Sequence, residues 1–177
     1  MRFCLAFPDV YEVGISHLGL KILYTILNDL PDVMADRTYL PWFDALDLMK
    51  QENIPLFALE SKQAVSSFDV IGITLQSELT YTNILELLNL AGLPLRSEHR
   101  TTQHPLVLAG GPCASNPLPL SPFVDAFLIG EGEEAITEIA EIVKAWKNQT
   151  GSDPSRAELL QQLTALEGIY VPAVHDR

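Results

Sequence analysis

Apolar residues fall along this chain in two alternating rhythms. Short β-branched runs are followed by stretches in which apolar positions recur every three or four residues, the spacing of an amphipathic helix. The first run, Arg2 to Phe7, is stopped by Pro8, and a loop from Asp9 to Ser16 follows. From His17 to Leu30 the positions Leu18, Ile22, Leu23, Ile26, Leu27 and Leu30 mark a helix, with Ser16 as its N-cap and Pro31 as its stop. Val33 to Leu40 reads as a second strand toward a sheet edge, because Asp36 and Arg37 interrupt it. Pro41 then opens a helix from Trp42 to Glu52 with Phe43, Leu46 and Met49 on one side, and Leu56 to Leu59 reads as a short extended piece.

Phe68 to Leu75 is a continuous apolar run of the kind buried on both faces in a parallel sheet, and a helix from Glu78 to Leu90 follows it. Pro105 to Ala109 forms a further strand, as does Val124 to Ile129. The helix from Glu133 to Asn148 presents Ile136, Ile139, Ala140, Val143 and Trp146 as its apolar stripe. Strands alternating with helices predict parallel pairing through right-handed crossovers, hence a doubly wound α/β fold with a mainly parallel five-stranded sheet and helices on both faces. Residues 1–148 are expected to form this domain. Residues 149–177 read as a polar linker containing Gly151 and Pro154, a short helix from Ser155 to Leu166, and the segment Gly168 to Pro172, a piece leading toward something longer.

Composition narrows the function classes. Hydrophobic residues make up 47% and charged residues 19%, a globular balance that needs no disulfide or structural metal. Lysine and arginine number 11 against 23 acidic residues, and the formal charge of −12 repels phosphate backbones and anionic lipid. No run approaches the length of a spanning helix and no signal-peptide core is complete, so a cytoplasmic location without membrane or direct nucleic-acid partners is expected. Cys4 and Cys113 have no cluster or zinc spacing, and the four histidines have no ligand spacing.

In open parallel sheets ligands bind beyond the carboxyl ends of the strands, and the loops there carry the candidate chemistry. The first contains Gly14, Ser16, His17 and Gly19; the second is Thr74-Leu75-Gln76-Ser77-Glu78; the third is Gly110-Gly111-Pro112-Cys113. Paired glycines permit close approach of a flat ligand, although they equally permit a tight turn. Gly130-Glu131-Gly132-Glu133-Glu134 opens the last long helix, and its carboxylates oppose phosphate while suiting ribose, amide groups or a neighbouring domain. The phosphate loop, the dinucleotide fingerprint and the serine-hydrolase elbow are all missing.

The succession Gly110-Gly111-Pro112, Asn116-Pro117, Val124-Asp125-Ala126 and Gly130-Glu131-Gly132-Glu133 resembles the amino-terminal, cobalamin-binding-like domain of radical SAM proteins, a flavodoxin-like fold. Tyr11-Glu12-Val13-Gly14, Ser16-His17-Leu18-Gly19, Leu59-Glu60-Ser61 and Gly168-Ile169-Tyr170-Val171-Pro172 extend the resemblance over nearly the whole chain. It implies an accessory domain that binds cobalamin, or keeps a degenerate cobalamin site, and packs on a downstream radical SAM domain of the same chain. The 4Fe-4S cluster and S-adenosylmethionine would belong to that downstream domain. The implied cofactor contacts are Ser16, His17, Thr74, Leu75, Gln76, Gly110, Gly111, Pro112, Gly130, Glu131 and Gly132, with no catalytic residue and no metal ligand in this chain. One departure stands out: where some cobalamin domains carry DxHxxG, this chain has Gly14-Ile15-Ser16-His17-Leu18-Gly19. Competing readings are a protein-interaction or substrate-presenting module without a cofactor, and a flavodoxin-like domain for FMN, which the missing phosphate loop disfavours.

Overall fold

The computed structural model describes residues 1–149 and 155–176. The linker reading for Gly151 and Pro154 lies outside the described residues. In chain order the main elements are β1 (Arg2–Val10), α1 (Tyr11–Gly14), α2 (Leu18–Asp29), β2 (Met34–Leu40), α3 (Phe43–Gln51), β3 (Val70–Thr74), α4 (Tyr81–Leu90), β4 (Leu106–Gly110), β5 (Ala126–Leu128), α5 (Ala135–Lys147), α6 (Arg156–Leu163), β6 (Ile169–Tyr170) and α7 (Pro172–His175). The sheet runs in the order β2-β1-β3-β4-β5-β6. Every pair is parallel except β5 with β6, where Phe127 faces Tyr170. The order reverses between β1 and β3, the switch point of a doubly wound sheet.

Alternation along the strands divides the interior in two. Leu5, Val70, Leu106, Leu108, Ala126 and Leu128 face the layer of α2, α5 and α6. Cys4, Ala6, Ile71, Ile73, Val107, Ala109 and Phe127 face the opposite layer, which α4 closes with Ile84, Leu87 and Leu88. The period of two, set in strands by side chains pointing to opposite faces, is what makes a continuous apolar run serve both layers.

Several local expectations change. β1 does not stop at Pro8 but continues to Val10, because pairing with β3 has already ended at Ala6 and a register shift after Phe7 accommodates the missing donor. The loop expected from Asp9 to Ser16 holds the short helix α1. The N-cap of α2 is His17 rather than Ser16: the His17 Nδ1 accepts the Leu20 N–H at 3.0 Å, which satisfies one of the orphan donors of the first turn. In α3 only Met49 is buried, and Phe43, grouped with Leu46 and Met49 on one side of the helix, projects into solvent.

β2 takes the predicted edge position and tolerates its charged residues by local pairing. The Asp36 carboxylate accepts the backbone N–H groups of Glu60 and Ser61, both at 2.9 Å. Burial pushes its pKa up, but these hydrogen bonds prevail and hold it at about 2. Arg37 pairs with Glu60 at 2.6 Å and lies over the Tyr24 ring.

The sheet has six strands, one more than expected, because Ile169 and Tyr170 turn back beside β5. Gly168, at φ +77°, approaches so closely that a Cβ there would lie 2.6 Å from the Ile129 carbonyl oxygen. The short helix of the carboxyl-terminal segment packs onto the domain, with Leu159, Leu160 and Leu163 buried among residues of α5 and the sheet. Ser155 and Glu158 form a capping box that starts α6. Arg156 then reaches under the sheet to the carbonyls of Thr101, His104 and Pro105 and to Asp125, at 2.7–3.0 Å.

Candidate functional site

A cavity of about 210 Å³ opens at the carboxyl ends of the strands, between the start of α2 and the start of α5. Its floor is the α2–α5 face of the sheet, formed by Leu5, Gly72, Leu108, Gly110 and Leu128. Leu20, Leu23 and Ile136 wall it, and its mouth is ringed by His17, Thr74, Gln76, Gly111, Gly130, Glu131 and Glu133. Parallel strands deliver these turns to one edge even though they lie far apart in the chain.

Glycines shape the space. Gly72 keeps the floor low, since a Cβ there would meet Leu5 at 3.2 Å and Phe3 at 3.4 Å. A Cβ on Gly132 would sit 3.4 Å from Leu23 and narrow the gap between the two helices. Gly111 holds φ at +115°, with its Cβ position only 2.9 Å from the Leu75 carbonyl oxygen. That approach is stitched by the Leu75 N–H to the Gly110 carbonyl at 2.7 Å and the Cys113 N–H to the Leu75 carbonyl at 3.1 Å. The second and third loops are therefore one rigid unit.

Of the eleven sequence-predicted contacts, His17, Thr74, Gln76, Gly110, Gly111, Gly130, Glu131 and Gly132 line this cavity. Ser16, Leu75 and Pro112 do not. Ser16 is exposed at the turn before α2, Leu75 is wholly buried, and Pro112 begins a helical turn leading away. Sequence reasoning missed the apolar walls and Gly72; a glycine inside a buried strand run is itself a sign of close approach.

The polar groups at the mouth are available to a ligand. Neither Thr74 Oγ1 nor the Gln76 amide is engaged by another side chain or backbone group among the described residues, and Glu131 and Glu133 have no ion-pair partner there. His17 spends Nδ1 on its cap, packs against Phe7 with centroids 5.4 Å apart, and keeps Nε2 for other contacts. No lysine or arginine lines the cavity, so nothing there neutralises a phosphate. Nearby, partial burial and the Glu78 carboxylate push the Cys113 thiol up, which disfavours a thiolate nucleophile at neutral pH. No cluster of three or more His, Cys, Asp or Glu able to hold a metal exists among the described residues. No helix among them is long and apolar enough to cross a membrane.

A volume of 210 Å³ falls below the roughly 300–1,000 Å³ of pockets that enclose drug-sized ligands. The cavity has room for one ring or one short arm of a ligand, not for the whole of a large one.

Comparison with known proteins agrees with this architecture. Residues 19–172 match the family model described as radical SAM proteins, N-terminal. An uncharacterized protein of Methanocaldococcus jannaschii is 26% identical over 130 residues, which cover 73% of this chain and 23% of that protein. A radical S-adenosylmethionine methyltransferase from Kitasatospora setae, solved with its tryptophan substrate and an S-adenosylmethionine analogue, shares the fold with a TM-score of 0.54 at 17% identity. The likeness covers 84% of this chain and 26% of that one. The chain thus spans about a quarter of the length of these two proteins.

Proposed function

This chain belongs to the family of radical SAM protein N-terminal domains, and on that premise we propose that it is an accessory domain that binds cobalamin at the carboxyl edge of its sheet. The observation that carries the reading is the glycine-floored cavity beneath a mouth of free hydrogen-bonding groups. The residues fit such a group: the cavity between α2 and α5 would receive one arm of the ligand, and the rigid Leu75–Gly111 unit would support its broad macrocycle. Thr74 and Gln76 would hydrogen-bond its amide side chains, and Glu131 would accept from amide or hydroxyl donors. Bound there, cobalamin supplies a cobalt centre able to carry a one-carbon group. Because His17 Nδ1 is already the cap acceptor, His17 contributes to the mouth through Nε2 alone.

In this reading the cofactor face packs on a downstream radical SAM domain, which brings the 4Fe-4S cluster and S-adenosylmethionine, in a cytoplasmic protein. FMN is disfavoured because no serine- or threonine-rich phosphate loop follows the first strand. Titrating the protein with hydroxocobalamin and desalting the mixture tests the proposal. Retained cobalamin with a shifted visible spectrum is the expected result. An unshifted spectrum and complete loss on desalting would overturn it and leave the reading of a cofactor-free interaction or substrate-presenting module.

A further inference from the structure

A second feature of the carboxyl edge lies to one side of the cavity, over β2, β1 and β3. Trp42 is 54% exposed, Phe43 78% and Leu79 90%, and Tyr11 and Val13 stand exposed beside them. All five belong to segments that follow β1, β2 and β3 at this edge. The Trp42 indole Nε1–H donates to the Glu12 carboxylate at 3.2 Å, which joins the start of α3 to α1. Tyr11 packs edge-on against Tyr39 of β2 with centroids 5.3 Å apart. The Asn83 side chain donates to the Pro8 carbonyl at 3.0 Å and draws the start of α4, with Leu79 before it, to the end of β1. Large aromatic side chains held in fixed orientations at the surface are the composition of interface centres, not of solvated loops.

Charge at this surface has one sign. Glu12, Asp44 and Glu78 are exposed among the apolar groups. No lysine or arginine occurs from residue 3 to 20, from 38 to 49 or from 63 to 95, the stretches that build the surface. Lys50, the nearest cation along α3, is paired with Glu86 at 2.7 Å. We propose that this surface docks a partner polypeptide whose contact face is apolar at its centre and bears lysine or arginine at its margin. Charge complementarity selects that occupant. A second copy would set the same acids against each other, and an anionic bilayer or a nucleic acid would meet only carboxylates. The inference stands without the cofactor reading, because none of Tyr11, Trp42, Phe43 and Leu79 lines the cavity.

Trp42 reports the contact directly, since the other tryptophan, Trp146, is buried. A synthetic amphipathic helix of leucine and lysine serves as the probe, with a leucine and glutamate helix as its counterpart, and acrylamide quenching reads Trp42. The lysine helix is expected to shield Trp42 in a salt-sensitive manner, and the glutamate helix to leave it open. Phe43→Asp, a change on an exposed side chain checked by its thermal melt, is expected to weaken shielding about tenfold, the effect of losing an interface anchor. The added carboxylate would strengthen a purely ionic attraction, so unchanged or tighter binding by F43D overturns the proposal. So do equal shielding by both helices, shielding by anionic vesicles, and shielding in concentrated protein alone.

Discussion

Gly111 turns at φ +115° and ψ −177°, a conformation open essentially to glycine alone, while its missing Cβ leaves room for the Leu75 carbonyl. Gly130 turns at φ +123° with nothing near its Cβ position. The two glycines therefore separate backbone strain from close approach. Gly111→Ala should lower unfolding free energy by about 1–3 kcal/mol from strain, with a further loss from the contact, and Gly130→Ala by the strain alone. Urea denaturation of the two variants checks this; equal losses would mean that the Leu75 approach adds nothing. At this scale the sequence was informative where a residue type has one dominant use. Paired glycines after an apolar run announced a strand-end turn, whereas Ser16 and His17 both make caps, and only the backbone path shows that His17 reaches the Leu20 N–H.

Among the elements, α6 is held by its buried leucines and by one far-reaching polar side chain. Arg156 donates to three carbonyls and to Asp125, which is 1% exposed along its side chain and also accepts the Val107 N–H at 2.7 Å. Arg100 completes the set at 3.1 Å from the same carboxylate. Arg100 and the Val107 N–H still hold Asp125 when Arg156 is gone, but three carbonyls lose their donor, so Arg156→Met should cost about 1–3 kcal/mol. Hydrogen exchange should rise first in α6 and β6, ahead of α2 and α4; a uniform rise would contradict the role of Arg156 as their anchor. The apolar stripe of α5 was readable because a long helix repeats its period, and Ile136, Ile139, Ala140, Val143 and Trp146 are all buried. β6 was not readable, since two residues carry no alternation. Nor was the exposure of Phe43, because periodicity marks an apolar side without showing whether anything covers it.

Over the whole molecule, parallel pairing gathers turns at residues 17–19, 74–76, 110–111 and 130–133 around one cavity. No lysine or arginine lines that cavity, while Arg2, Arg100 and Arg156 sit toward the opposite end, where strands begin. This polarity concerns loops that follow strands, and it could be read from the sequence once strand direction was inferred. The cavity walls could not, because Leu20, Leu23 and Ile136 look like any core positions on their helices. Hydrogen exchange with and without hydroxocobalamin tests most directly whether these four distant turns form one binding site. Joint protection of residues 16–19, 74–77, 110–113 and 130–133 is the predicted result. Protection confined to the opposite end, at residues 97–104 and 122–125, or none anywhere, would contradict it.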